Sequence, residues 1–168
     1  MIRTTAWLAA FVLLAAFVLS IAKAIPLDSG KAERVVRITE SNGGSVQGFV
    51  ESYVRIRDSG ARLIIDGPCA SACTIFFGIM PPEKVCATPK AALGFHTASL
   101  MPHPLLLVHS PIATSFVWSL YPERVKKLIR LGGWNGDDPT VEHRELVIIN
   151  GLNGLFEVMN VCPVSDWN

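Results

Sequence analysis

Apolar positions along this chain follow two rhythms. Val35-Val36-Arg37-Ile38-Thr39 is a short β-branched run, and the turn Asn42-Gly43-Gly44 stops it. From Ser45 onward, Val46, Phe49, Val50, Tyr53 and Val54 recur at helical spacing, with Gly60 as the C-terminal stop. Arg62 to Asp66 is again β-branched and reads as a buried parallel strand. Ser71 opens a second helix through Thr74, Ile75, Phe76 and Phe77, which Pro81-Pro82 terminates. Lys84 to Thr88 and Ala91 to His96 form two short strands around a Pro89-Lys90 turn. Thr97 to Pro111 carries Pro102, Pro104 and Pro111 around Leu105-Leu106-Leu107-Val108, and reads as a loop or flap beside His96. A third helix starts at Tyr121-Pro122-Glu123, buries Val125, Leu128 and Ile129, and ends at Gly132-Gly133. The tail adds a strand at Leu146 to Ile149 and a short helix at Leu155 to Met159. Strand and helix alternate, which predicts an α/β domain with mostly parallel strands over residues 35–168.

The N-terminus stands apart from this pattern. Arg3 precedes an apolar stretch from Ala6 to Ala22, followed by Ala22-Lys23-Ala24. That is the layout of a secretory signal peptide over residues 1–24. The stretch also approaches the length of a membrane span, so an uncleaved N-terminal anchor is the alternative. Residues 25–34 are a polar linker. Either way the domain is expected outside the cytoplasm, periplasmic or secreted. The mean hydropathy of +0.39 owes much to this segment.

Charge and cysteines narrow the picture further. Without residues 1–24 the chain loses two of its 15 basic residues and no acids, which leaves 13 against 14. Its basic residues gather no more densely than Arg124, Lys126, Lys127 and Arg130, a solvated helix face, and nucleic acid is not an expected partner. Cys69, Cys73, Cys86 and Cys162 all lie in the exported part, and an even number there predicts two disulfides. Three pairings exist. A plausible one joins Cys73 to Cys86 and Cys69 to Cys162. A zinc site would need a second close-spaced pair, and a catalytic dithiol would need C-x-x-C. No metal and no cofactor is expected.

The candidate chemistry sits at three places. Ser71 stands in Asp66-Gly67-Pro68-Cys69-Ala70-Ser71-Ala72-Cys73, after the apolar run Leu63-Ile64-Ile65. His96 follows 25 positions later, ending Ala91-Ala92-Leu93-Gly94-Phe95-His96, and Ser41-Asn42-Gly43-Gly44 precedes both. A serine on a strand-to-helix turn protrudes; a histidine can take its proton; free amides can bind the oxyanion. Ala70 and Ala72 are small enough for a tight turn. Ser71 and His96 are therefore the candidate catalytic pair, with the amides of Gly44 and Ala72 as oxyanion donors. The bland alternatives are a serine N-cap and a core histidine.

This order and spacing resemble the Clp protease proteolytic subunit and the wider Clp/crotonase superfamily, and in particular small secreted bacterial Clp-like proteins. The matching pieces are Ser41 to Gly44, Asp66 to Thr74, Leu93 to His96 and Tyr121 to Val125, within roughly residues 35 to 131. The resemblance implies a shortened ββα spiral of Clp/crotonase type, since only about ten residues separate the N-terminal segment from the first strand. It implies peptide or ester substrates and an oligomer as one form of the protein. It also implies an acid after the histidine. Asp137, Asp138, Glu142 and Glu145 lie in that zone, and Asp138 is the first choice; a Ser-His dyad, or a histidine oriented by a backbone carbonyl, is equally compatible. Asp66 reads as structural. The α/β-hydrolase elbow, Gly-x-Ser-x-Gly, is not matched. Two further function classes stand beside acyl transfer: a catalytically inactive binding or structural domain of the envelope, and a thiol-redox protein using Cys69 and Cys73.

Overall fold

A computed structural model describes residues 33–103 and 106–167 of the chain. The expected signal peptide or anchor, and all of the linker but its last two residues, lie outside the described residues. Among those described, no helix is long and apolar enough to cross a membrane.

The first β-branched run forms β1 (Val35–Ile38) and the second β2 (Arg62–Ile65). Between them lies α1 (Val46–Asp58), started by Ser45, whose hydroxyl accepts from the Gly48 amide at 3.3 Å. β4 (Val85–Ala87) and β9 (Asn160–Val161) complete a sheet of order β1-β2-β4-β9, parallel throughout. A second sheet holds β3 (Pro68–Ala70), β5 (Ala92–Phe95) and β8 (Val147–Asn150). There β3 and β5 are parallel, while β5 and β8 are antiparallel. The mixed α/β class with parallel strands in the main sheet is as expected.

The chain leaves one sheet and enters the other within two residues, at Asp66-Gly67. Asp66 anchors this step. Its carboxylate accepts from Thr88 Oγ1 at 2.7 Å and pairs with Arg37 at 2.8 Å, joining the ends of β1, β2 and β4. The Thr88 hydrogen bond, then Arg37, holds the carboxyl below the usual aspartate range.

Two expectations change. The helix after β3 is a 3-10 helix, Ser71–Gly78, with Ile75 and Phe76 buried. The segment read as a loop is regular: β6 (Ser99–His103) and β7 (Leu106–His109) form an antiparallel hairpin. Its register shifts between Leu100 and His103, around Pro102. A two-stranded ribbon with a bulge tolerates a proline that a central strand would not. Ser110 then caps α2 (Pro111–Ser119), accepting from the Ala113 amide at 3.2 Å. α3 (Glu123–Leu131) and α4 (Leu155–Val158) follow near their predicted places. One continuous core joins both sheets, with Tyr53, Leu63, Phe76, Leu93, Phe95 and Ile129 among its fully buried members.

Candidate functional site

The site is assembled where β3 runs into the 3-10 helix. After β1 the chain continues beside β3: the Ser41 amide donates to the Pro68 carbonyl and the Ala70 amide to the Ser41 carbonyl, both at 2.8 Å. This lays the glycine turn against the serine. Gly43 has φ +85°, and a Cβ there would stand 2.6 Å from Ser71 Cβ and 2.7 Å from the Ala70 carbonyl. Only glycine fits. The same imaginary atom would be 3.1 Å from the Ala72 nitrogen, so the Ala72 amide lies beside the turn. As the second residue of the helix, Ala72 has no intrahelical acceptor for its N–H. The Gly44 amide takes part in none of the turn and loop hydrogen bonds among the described residues.

Ser71 has φ +56°, the one positive φ at a non-glycine among the described residues. For an L-residue this conformation costs about 1–2 kcal/mol. The residue capping the helix is Ala70, without a side-chain cap bond. Ser71 is half-buried, and its hydroxyl has no hydrogen-bond partner among the described residues. The side chain is thus not spent on a helix cap.

Neighbouring groups hold the turn on both sides. Thr74 Oγ1 donates to the Ser71 carbonyl at 2.7 Å, so the Tyr121 hydroxyl, also 2.7 Å from Thr74 Oγ1, must donate to it. Tyr53 donates to the Cys73 carbonyl at 2.6 Å. Burial pushes both phenols well above their ordinary range, which keeps them as donors.

The register of β3 with β5 pairs Ala70 with Gly94. Ser71 and His96 therefore leave the same end of two adjacent parallel strands. His96 is half-buried, and its Nδ1 lies 2.6 Å from the Thr97 carbonyl. A ring nitrogen so close to a carbonyl carries the proton, which leaves Nε2 with a free lone pair. No hydrogen bond joins His96 to Ser71 among the described residues. The cleft at His96 is lined by Thr97, Ser99, Leu107, Glu142 and Arg144.

The acid expected at Asp138 is occupied elsewhere. Its Oδ1 accepts from both the amide and the hydroxyl of Thr140, and these hydrogen bonds hold it below the usual aspartate range. Asp137 is tied to Arg130 and Trp118. Glu142 is the candidate acid that lines the His96 cleft, and it pairs with Arg144 at 2.8 Å. Thr97 keeps this segment in place, its amide and hydroxyl both donating to the His143 carbonyl.

The cysteine pairing differs from expectation. Cys69 joins Cys73, and Cys86 joins Cys162. Cys69 lies in one sheet and Cys86 in the other; the tight turn brings the Cα atoms of Cys69 and Cys73 to 5.4 Å, within bridging distance. The short C-x3-C spacing across a predicted tight turn was the signal for this bond. One group of metal-type side chains, Cys86, Cys162 and Asp166, occurs among the described residues; its sulfurs are bonded to each other and Asp166 binds Arg62 at 2.7 Å.

No protein-family model and no curated protein matches the sequence. Solved structures do show similarity. A point mutant of ClpP1 from Listeria monocytogenes aligns at 12% identity over 81% of this chain and 78% of its own, with a TM-score of 0.45. A peptidase from Plasmodium falciparum aligns at 8% identity over 85% and 86%, with a TM-score of 0.40.

Proposed function

We propose that this chain is an exported serine hydrolase that transfers an acyl group from a peptide or ester to water. Ser71 is the nucleophile, Nε2 of His96 takes its proton, and the amides of Gly44 and Ala72 receive the oxyanion. The observation that carries this reading is Ser71 itself. A strained, half-buried serine with an unspent hydroxyl sits against Gly43, where no side chain fits. Strain of this kind persists where surrounding contacts over-determine it.

Attack on the carbonyl forms the Ser71 Oγ–C bond while the hydroxyl proton passes to His96 Nε2. The imidazolium then returns that proton to the leaving amine or alcohol as the C–N or C–O bond breaks. Water repeats the sequence and releases the acid. The Thr97 carbonyl, rather than Asp138, fixes the His96 tautomer and stabilises the imidazolium in this reading. The missing Ser71–His96 hydrogen bond fits a site that tightens only when substrate is bound. Two disulfides support an oxidising compartment outside the cytoplasm.

A second reading, a non-catalytic envelope-binding domain, draws on that same missing hydrogen bond. A serine-directed fluorophosphonate separates the two. Labelling of Ser71 that disappears in Ser71→Ala supports the hydrolase. A folded wild type that takes no label supports the binding domain.

A further inference from the structure

We propose that the Cys69–Cys73 disulfide is a positioning device for Ser71, holding its backbone in the reactive conformation rather than holding the domain together. The proposal deepens, and rests on, the reading of Ser71 as the nucleophile.

Three facts converge on it. The bond brackets the strained residue, with Ser71 at the centre of the five-residue segment that it closes. The Gly43 turn packs against Ser71 without bonding to it, and the hydrogen bonds act on one side of the turn or the other. The Ala70–Ser41 hydrogen bond fixes the strand side; those from Tyr53 and Thr74 fix the carbonyls on the helix side. The disulfide ties one side to the other. It also closes a loop of sequence separation 4, against 76 for Cys86–Cys162. Loop-closure entropy grows with loop length, so the short bond contributes least to the stability of the whole domain. Its effect is local.

Both half-cystines are fully buried. The bond is therefore a built-in brace, shielded from solvent reductant, and not a surface thiol switch. Cut the brace, and Ser71 relaxes toward ordinary negative φ. Oγ then leaves the position shared by the Gly43-Gly44 turn and the Ala72 amide.

The test compares Cys69→Ala/Cys73→Ala with Cys86→Ala/Cys162→Ala, using a fluorophosphonate probe, thermal melting and amide hydrogen exchange. The site pair should keep a cooperative melt but lose tenfold or more in the labelling rate constant of Ser71. The loss should fall on the inactivation step, with probe binding unchanged. Exchange of the amides from Ala70 to Thr74 should rise. The other pair should melt earlier yet label within twofold of wild type below its melting point. Wild-type labelling and unchanged exchange in the site pair would overturn the proposal. If wild type takes no label, the hydrolase reading fails and exchange alone decides: faster exchange confined to these amides upholds the brace, unchanged exchange rejects it. Should the site pair melt below assay temperature, Cys69→Val/Cys73→Ala, which refills more of the buried volume, carries the same comparison at a temperature below its melt.

Discussion

The two disulfides join regions built for different ends. Cys86–Cys162 links β4 to the segment just after β9, beside Ile64 and Trp167, and draws the C-terminal tail onto the main sheet. Around it Arg62 binds Asp166 and Glu33, and Trp167 Nε1 donates to the Cys162 carbonyl at 2.9 Å. Cys69–Cys73 ties β3 of the second sheet to the 3-10 helix and surrounds a serine whose hydroxyl has no hydrogen-bond partner among the described residues. One region is relaxed and internally paired. The other is strained and leaves a hydroxyl, a ring nitrogen and two amides for something else. Local rules are broken where chemistry would happen and obeyed where the fold is held.

The largest loss at the strained region is expected from His96. His96→Ala should lower phosphonate labelling by about 10²–10⁴-fold with no matching loss of stability. Equal labelling rates for variant and wild type would remove His96 as the base. Gly43→Ala comes next. Its methyl group would clash with Ser71 and Ala70, displacing the oxyanion amides, and labelling should fall by about 10²-fold. A crystal structure of that variant with an unmoved Ser71 would contradict the packing argument.

At the other bond the effect should reverse. Chain entropy assigns a loop of 76 residues about 4 kcal/mol and one of four about 2 kcal/mol. Urea titration of Cys86→Ala/Cys162→Ala should show the larger loss of unfolding free energy. A larger loss in the site pair would invert the assignment of roles.

The smallest effect concerns Asp66, where the chain passes between the sheets. Its folded pKa lies below its unfolded value. The stability it contributes is full above about pH 4 and is lost as pH falls through the folded pKa. Urea midpoints measured from pH 6 to pH 3 should therefore fall less in Asp66→Asn than in wild type. Parallel profiles would mean that the Thr88 and Arg37 contacts contribute nothing on ionisation.

Residue patterns foretold this architecture unevenly. β1, α1 and β2 were legible because their periodicity is clean and glycine ends the first two. β3 and β9 were not: at three and two residues they are too short to show a period, and they exist through their pairing. The β6–β7 hairpin hid behind prolines that a ribbon accommodates and a sheet interior would not. The same holds at the site. Ser71, His96 and the glycine turn stood out through order and spacing. The disulfide partners of Cys69 and Cys73 did not, because no residue pattern announces that the chain changes sheets just before Cys69. Once the chain switches sheets at Asp66-Gly67, Cys69 is separated from Cys162 and faces Cys73. For His96 the sequence left four acids and a backbone carbonyl open, because no residue type announces a carbonyl partner; Nδ1 lies 2.6 Å from the Thr97 carbonyl.

The central claim is that Ser71 is a nucleophile held ready at the turn. Peptide mapping of the oxidised wild-type domain after fluorophosphonate treatment tests it most directly. A single adduct on the Ser71 hydroxyl is expected, absent after denaturation and absent in Ser71→Ala. A folded domain with both disulfides intact and Ser71 unmodified, or an adduct on another serine, would contradict it.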